Sequence, residues 1–197
     1  MTSLAIFDYG AGNIFSLKNS LEREGVHINI INDLAESAKY DGLLLPGVGN
    51  FDPAVKSLIS AGFNHNISEL PILGICLGME MFFESSQEGT QKGFGIMNGD
   101  VIILPPILKV PHMGWNELDI KRPGRLLEGV KDGSWVYFVH SYKVVPQDDI
   151  VTAESDYGVK IPAVVEQGNY FGTQFHPEKS GDIGKVMLRN FIKVCHK

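Results

Sequence analysis

A chain of 197 residues with 44% hydrophobic and 20% charged side chains can bury a full core, which excludes a disordered polymer. Its net charge of −6 has the wrong sign for a protein that neutralises phosphates, so no nucleic-acid partner is expected. Two cysteines are too few for a disulfide framework and suit a reducing, cytoplasmic setting, and neither the N-terminal MTSLAIFDYG nor any later stretch reads as a leader or membrane span.

In chain order, LAIFDYG reads as a strand and NIFSLKNSLEREG as a helix, with Ile14, Leu17 and Leu21 at helical spacing. VHINIIND and YDGLLLPGVG follow as strands, a helix is predicted over 53–62, and PILGIC leads as a strand into a helix-like run. Short apolar β runs that alternate with amphipathic helices predict a parallel sheet. From about 93 to 175 the pattern becomes FGIMNGDVIIL, HMGWNELDI, SWVYFVHSY and AVVEQGNYFGTQF, which predicts antiparallel or mixed sheet beside the first. A last helix, IGKVMLRNFIKVC, is predicted to bury Ile183, Val186, Met187, Phe191 and Val194. Without repeats or a linker, residues 1–197 are expected to form one domain.

The densest chemical signal is PILGICLGMEMFF, where Cys76 sits between Gly74 and Gly78 at a strand-to-helix turn. Such a turn lifts its side chain off the sheet, and the amides of a following helix favour a thiolate and an oxyanion. The plainer alternative is a small buried cysteine at a tight junction. YFGTQFHPEKS, a hundred residues on, tips the balance toward chemistry. Pro177 holds the backbone extended at His176, so Glu178 can steady the imidazole. Cys76, His176 and Glu178 then form nucleophile, base and orienting acid.

Other segments are less specific. LPGVGNF offers Gly47 and Gly49, whose freed backbone could supply oxyanion-hole amides or simply make a loop. DYGAGN supplies Gly10 and Gly12, but Phe15 stands where a dinucleotide loop needs its third glycine, so Asn13 and Ser16 read as helix caps instead. The hairpin-like KVPHMGWNELD suits a contact surface or its own packing equally, and His112 lacks a second ligand at metal spacing, so no metal is expected. In VHSY, strand alternation would send His140 and Tyr142 to one side and Ser141 to the other.

Together GICLGM, LPGVGNF and FHPEKS resemble the class I glutamine amidotransferases over essentially the whole chain. DYGAGNIFS, PHMGWN and FVHSY resemble, within that class, the glutaminase subunits of imidazole glycerol phosphate synthase. The resemblance implies a flavodoxin-like α/β fold, with a mostly parallel central sheet, helices on both faces and a smaller antiparallel sheet. It implies that Cys76 attacks the glutamine side-chain amide, His176 moves the protons and Glu178 orients His176. Backbone amides at Val48 or Gly49 and at Leu77 would hold the oxyanion, with Gly47, Glu80, Glu88, His140, Ser141 and Tyr142 around the substrate. No cofactor is implied. The implied partner is a (β/α)8 barrel synthase forming a heterodimer that receives the ammonia, with Asn13, Pro111, His112, Met113, Trp115, Asn116 and Lys179 as candidate contacts.

One position departs from the resemblance. These proteins usually read CLGMQ, and here Glu80 replaces the glutamine four residues after the nucleophile. A carboxylate there accepts but does not donate hydrogen bonds and disfavours a thiolate at Cys76. The same chemistry serving a related synthase that amidates a sugar, a stand-alone cysteine hydrolase on the same scaffold, and a non-enzymatic regulatory subunit are the competing readings. The complete Cys-His-Glu set argues against the last.

Overall fold

A computed structural model describes residues 2–10, 14–63 and 69–196. Strand β1 (Ser3–Phe7) is followed by α1 (Ile14–Glu22), β2 (His27–Ile31), β3 (Gly42–Gly47), α2 (Phe51–Ser60), β4 (Ile72–Cys76) and one helical turn, α3 (Leu77–Glu80). The pattern then turns to sheet, as its shorter period predicts: β5 (Ser85–Ser86), β6 (Gly99–Ile103), β7 (His112–Glu117), β8 (Asp119–Ile120), β9 (Trp135–His140) and β10 (Tyr142–Pro146). After β11 (Val151–Asp156), β12 (Lys160–Gln167) and β13 (Tyr170–Thr173) comes the last helix, α4 (Gly181–Cys195). The cap and contact expected of Asn13 fall outside the described residues.

The central sheet runs β2-β1-β3-β4-β13-β12-β11-β8. From β2 to β13 the strands are parallel, and from β12 to β8 they continue antiparallel, giving the mostly parallel sheet that the alternation predicts. Two smaller sheets lie beside it, β10-β6-β5 and the antiparallel pair β7-β9. Helices α1 and α4 pack on one face through Leu17, Leu21, Leu188 and Phe191. The other face takes α2 and α3 through Phe51, Val55, Leu58 and Met79. Each of these fully buried side chains contributes roughly 1.5–3 kcal/mol relative to exposure.

Three elements differ from expectation. α2 begins at Phe51 rather than 53, because Pro53 fits the first turn, where its missing N–H costs nothing. α4 turns its buried stripe to Gly184, Met187, Leu188, Phe191 and Cys195, leaving Ile183 and Val194 only partly covered. The helix after Cys76 is a single turn and is not amphipathic: Leu77, Gly78, Met79 and Glu80 are all buried. It is enclosed on every side, so there is no solvent face for an amphipathic pattern to mark.

Candidate active site

Strands β3, β4 and β13 end side by side, which places their C-terminal residues at one edge of the sheet, where open α/β sheets take ligands. Cys76 is the last residue of β4, in register with Gly47. Its φ of 54° and ψ of −109° make it the one non-glycine residue with positive φ among those described. That conformation costs about 1–3 kcal/mol and persists because the neighbours enforce it. The flanking glycines act differently from expectation. Neither Gly74 nor Gly78 has positive φ, so the bend lies in Cys76 itself. A Cβ on Gly78 would lie 1.8 Å from the Leu45 carbonyl oxygen, and one on Gly74 would lie 2.6 Å from the Gly78 carbonyl. Both glycines are there to let the turn of α3 sit directly on β3 and β4. Gly47 serves the same contact, since a Cβ there would meet Leu77 Cβ at 2.6 Å, whereas Gly49 has a φ of 129° that side chains rarely adopt.

A cavity of about 280 Å³ opens over the elbow, lined by Val48, Gly49, Cys76, Leu77, Glu80, Glu88, Pro111 and the segment Val139 to Tyr142. It gathers most of the residues expected around a substrate. Alternation does not separate Ser141 from His140 and Tyr142, because the chain leaves β9 and enters β10 at Ser141, and all three face the cavity. A larger cleft of about 570 Å³ beside Arg125, Glu166 and Lys193 is lined by neither a histidine nor a cysteine, so size does not decide between them.

His176 follows β13 and is tied on both sides, its N–H donating to the Tyr137 carbonyl at 3.0 Å and its own carbonyl accepting from Ser180 Oγ at 2.7 Å. Pro177 opens a short 3-10 turn that brings Glu178 back over the ring. His176 Nδ1 donates to Glu178 Oε1 at 2.9 Å, with both side chains buried. The buried Nε2 has no protein partner among the described residues, so its lone pair is open as a base. Cys76 Sγ, 3.9 Å from the Val139 carbonyl, stands on the adjacent strand.

The sequence profile described as "Glutamine amidotransferase class-I" matches residues 5–195. The chain belongs to that family. The amidotransferase is 46% identical to "Imidazole glycerol phosphate synthase subunit HisH" of Geobacillus kaustophilus, over 98% of this chain and 97% of the relative. It is 43% identical to the protein of that name from Archaeoglobus fulgidus, over 98% of this chain and 100% of the relative. Among solved structures, a glutamine amidotransferase superposes with a TM-score of 0.76 at 17% identity, covering 98% of this chain and 99% of that one. PurLQS from Thermotoga maritima superposes at 0.74 and 18% identity, covering 98% of both chains. These two share the fold.

Electrostatics in the amidotransferase go against the thiolate expected from the helix and with the effect expected of Glu80. Burial pushes the Cys76 thiol up, Glu80 and Glu178 push it further, and the Leu77 amide and Gln174 offset this only in part. One turn of helix is too short to supply the field of a full macrodipole, so the sulfur rests as a thiol. Glu80 is itself raised to about 7, by burial and by Glu88, against the pull of Gln174. A carboxyl raised from 4.5 to about 7 binds its proton more tightly in the folded state. Its stabilising contribution is therefore full below pH 4.5 and is lost as pH rises through about 7. Glu80→Gln is accordingly expected to gain on the order of 2 kcal/mol over the parent between pH 5 and pH 8 in paired urea titrations, and to keep or raise glutamine hydrolysis at pH 8. Collapse of activity at unchanged stability would instead give the carboxylate a role of its own.

The candidate contacts divide by strand alternation. Met113 and Trp115 are 63% and 50% exposed on the outer side of β7, and Lys179 is partly exposed. His112 is 2% exposed, so its side chain is not a contact with a partner, and Pro111 faces the cavity. Asn116 is half-buried and donates to the Asp156 carbonyl at 2.9 Å.

Two side chains at the site were not singled out by the sequence. Fully buried Gln174 donates from Nε2 to Glu80 Oε1 at 3.0 Å and points the same group at Cys76 Sγ, 3.8 Å away. It lies in the bend between β13 and His176, where no strand alternation marks which way a side chain turns. The buried Tyr9 hydroxyl, without a partner among the described residues, approaches Gly47, and burial raises its pKa well above the usual phenol value. No sequence pattern marks it.

Proposed function

We propose that this amidotransferase hydrolyses glutamine to glutamate and ammonia at Cys76 and passes the ammonia to a (β/α)8 barrel synthase subunit. In the cytoplasmic heterodimer that results, the barrel forms imidazole glycerol phosphate and AICAR in histidine biosynthesis. The observation that carries the chemistry is a strained cysteine beside a histidine whose Nδ1 is held by Glu178 and whose Nε2 is open. The names of the full-length relatives support the pathway.

Because the thiol rests protonated, the reaction begins from a neutral cysteine and imidazole rather than a preformed ion pair. Sγ attacks the side-chain amide carbon while His176 Nε2 takes the thiol proton, and the amide oxygen becomes an oxyanion. Amides at Val48 or Gly49 and at Leu77 hold it. The C–N bond then breaks as Nε2 returns its proton to the leaving nitrogen, releasing ammonia and leaving a glutamyl thioester. Water, deprotonated by the same Nε2, attacks the thioester. Collapse expels the sulfur, which takes the proton back, and glutamate leaves. Glu178 stabilises the imidazolium formed in both halves.

Glutamate release by the purified chain is expected to be slow alone and to rise strongly when the barrel subunit and its acceptor substrate are added. An absence of stimulation would leave the glutaminase chemistry but assign it to another synthase.

A further inference from the structure

His112 and His140 lie opposite each other across β7 and β9, both buried, and the proposed chemistry uses neither imidazole of the pair to move a proton. His140 Nδ1 lies 2.6 Å from the Tyr142 carbonyl, and His140 Nε2 lies 2.9 Å from His112 Nδ1. His112 Nε2 is 3.4 Å from Asn116 Nδ2. Which nitrogens carry protons follows from the two ends of this chain. The Tyr142 carbonyl can only accept, so His140 Nδ1 carries a proton. At the other end Asn116 is oriented by the backbone, its Nδ2 donating to the Asp156 carbonyl at 2.9 Å and its Oδ1 accepting from the Glu117 amide at 2.8 Å. His112 Nε2 therefore faces a donor and must accept. Its proton sits on Nδ1, which donates to His140 Nε2. The hydrogen bonds all run one way, inward from Asn116 to Tyr142. The His112 ring cannot swing out of line, because it is stacked between Phe138 and Tyr157 at centroid distances of 4.7 and 3.9 Å, with interplanar angles of 21° and 20°. Burial lowers both imidazoles to about 4, which keeps them neutral.

We propose that His112 is a positioning residue for substrate binding: its Nδ1–H donates to His140 Nε2 and holds that ring in place, and the His140 Nδ1–H in turn pins the Tyr142 carbonyl and so the Ser141–Tyr142 backbone that walls the cavity. The proposal rests on the reading of that cavity as the glutamine site. Without the His112 donor, His140 Nε2 is left as a buried acceptor with no partner, and the ring is anchored at one end only. A ring held only through Nδ1 can tilt away from the Tyr142 carbonyl and release the backbone there. Cys76 and His176 meet β9 at the Val139 and Tyr137 carbonyls, outside the Ser141–Tyr142 segment, so the loss falls on substrate binding rather than on the chemical steps.

The test uses the chain in complex with its barrel subunit. His112→Phe keeps a flat ring between Phe138 and Tyr157 but removes the donor. It is expected to raise the KM for glutamine about tenfold with kcat changed less than twofold, as the loss of one buried hydrogen bond implies. His112→Asn, which returns an N–H near the place of Nδ1, is expected to bring KM back to within about threefold of the parent. Nitrogen-15 shifts of the His140 ring report the tautomer independently of turnover, and Nδ1–H is expected in the parent chain. The proposal is overturned by an unchanged KM in His112→Phe, by His112→Asn being as poor as His112→Phe, or by an Nε2–H tautomer of His140 in the parent. Should His112→Phe fail to fold, the parent's His112 ring decides, an Nδ1–H tautomer supporting the proposal and an Nε2–H tautomer overturning it. Absence of any glutamate release by the parent complex would fail the proposed function instead, and the tautomer measurement would stand apart from it.

Discussion

Cys76→Ala and Cys76→Gly are both expected to lower glutamine hydrolysis by at least ~10³-fold, since neither leaves a nucleophile for the thioester to form on. The two variants are expected to differ in stability in an unusual order. In ordinary strand or helix positions glycine is the less stable of the pair by about 0.5–1 kcal/mol, because its unfolded chain is freer. At Cys76 the backbone has φ 54° and ψ −109°, where a Cβ is strained and a glycine is not. Cys76→Gly should therefore be the more stable variant, by roughly 1 kcal/mol, in urea unfolding at one pH. Residual hydrolysis in both variants would overturn Cys76 as nucleophile. Alanine more stable than glycine would show that the elbow relaxes and that the backbone strain is not imposed by its surroundings.

The second large effect is structural. Gly78→Ala would place a Cβ 1.8 Å from the Leu45 carbonyl oxygen and 3.3 Å from Leu45 Cβ. The obstacle is backbone of a central strand, so no rotamer change relieves it, and α3 must lift from β3. A loss of about 3 kcal/mol or more is expected, at the upper end of what an added methylene costs in a packed interior. Because Leu77 and Cys76 move with the turn, glutaminase activity should fall even in the folded fraction. Urea unfolding of Gly78→Ala beside the exposed control Gly129→Ala tests this. Gly129, unlike Gly78, has positive φ, 76°, and its Cβ would meet nothing within 4 Å, so the control shows backbone strain without overlap and Gly78→Ala shows overlap without that strain.

Which parts of the site could be read in advance follows from where their causes lie. Cys76, His176 and Glu178 were legible because each depends on local backbone chemistry: a strand ending between glycines, and a proline that holds its neighbour extended. The parallel half of the sheet was legible from period, and so was the switch to shorter strands after residue 93. Burial at the elbow was not. The run from Leu77 to Phe83 is covered on every side, and a fully buried segment carries no periodic signal to separate it from an amphipathic one. The part of the rise of the Cys76 thiol that comes from Glu80 was legible, and the larger part, which comes from that burial, was not. His112 looked like a surface residue because its neighbours Met113 and Trp115 are, and only the pairing of β7 with β9 shows that alternate residues of PHMGWN turn inward.

The position of β13 bears on how the protein is made. This strand inserts between β4 and β12, and its pairing with β4 joins Ile72 to Tyr170. Closing so long a loop is slow and comes late in folding. During synthesis the ribosome releases the whole cysteine-bearing half of the sheet before it has made His176. Through that interval β4 lacks its neighbour on that side, and Cys76 has no base. With the proposed chemistry, an unfinished or truncated chain is therefore expected to release no glutamate, and ammonia production to wait until β13 has paired with β4.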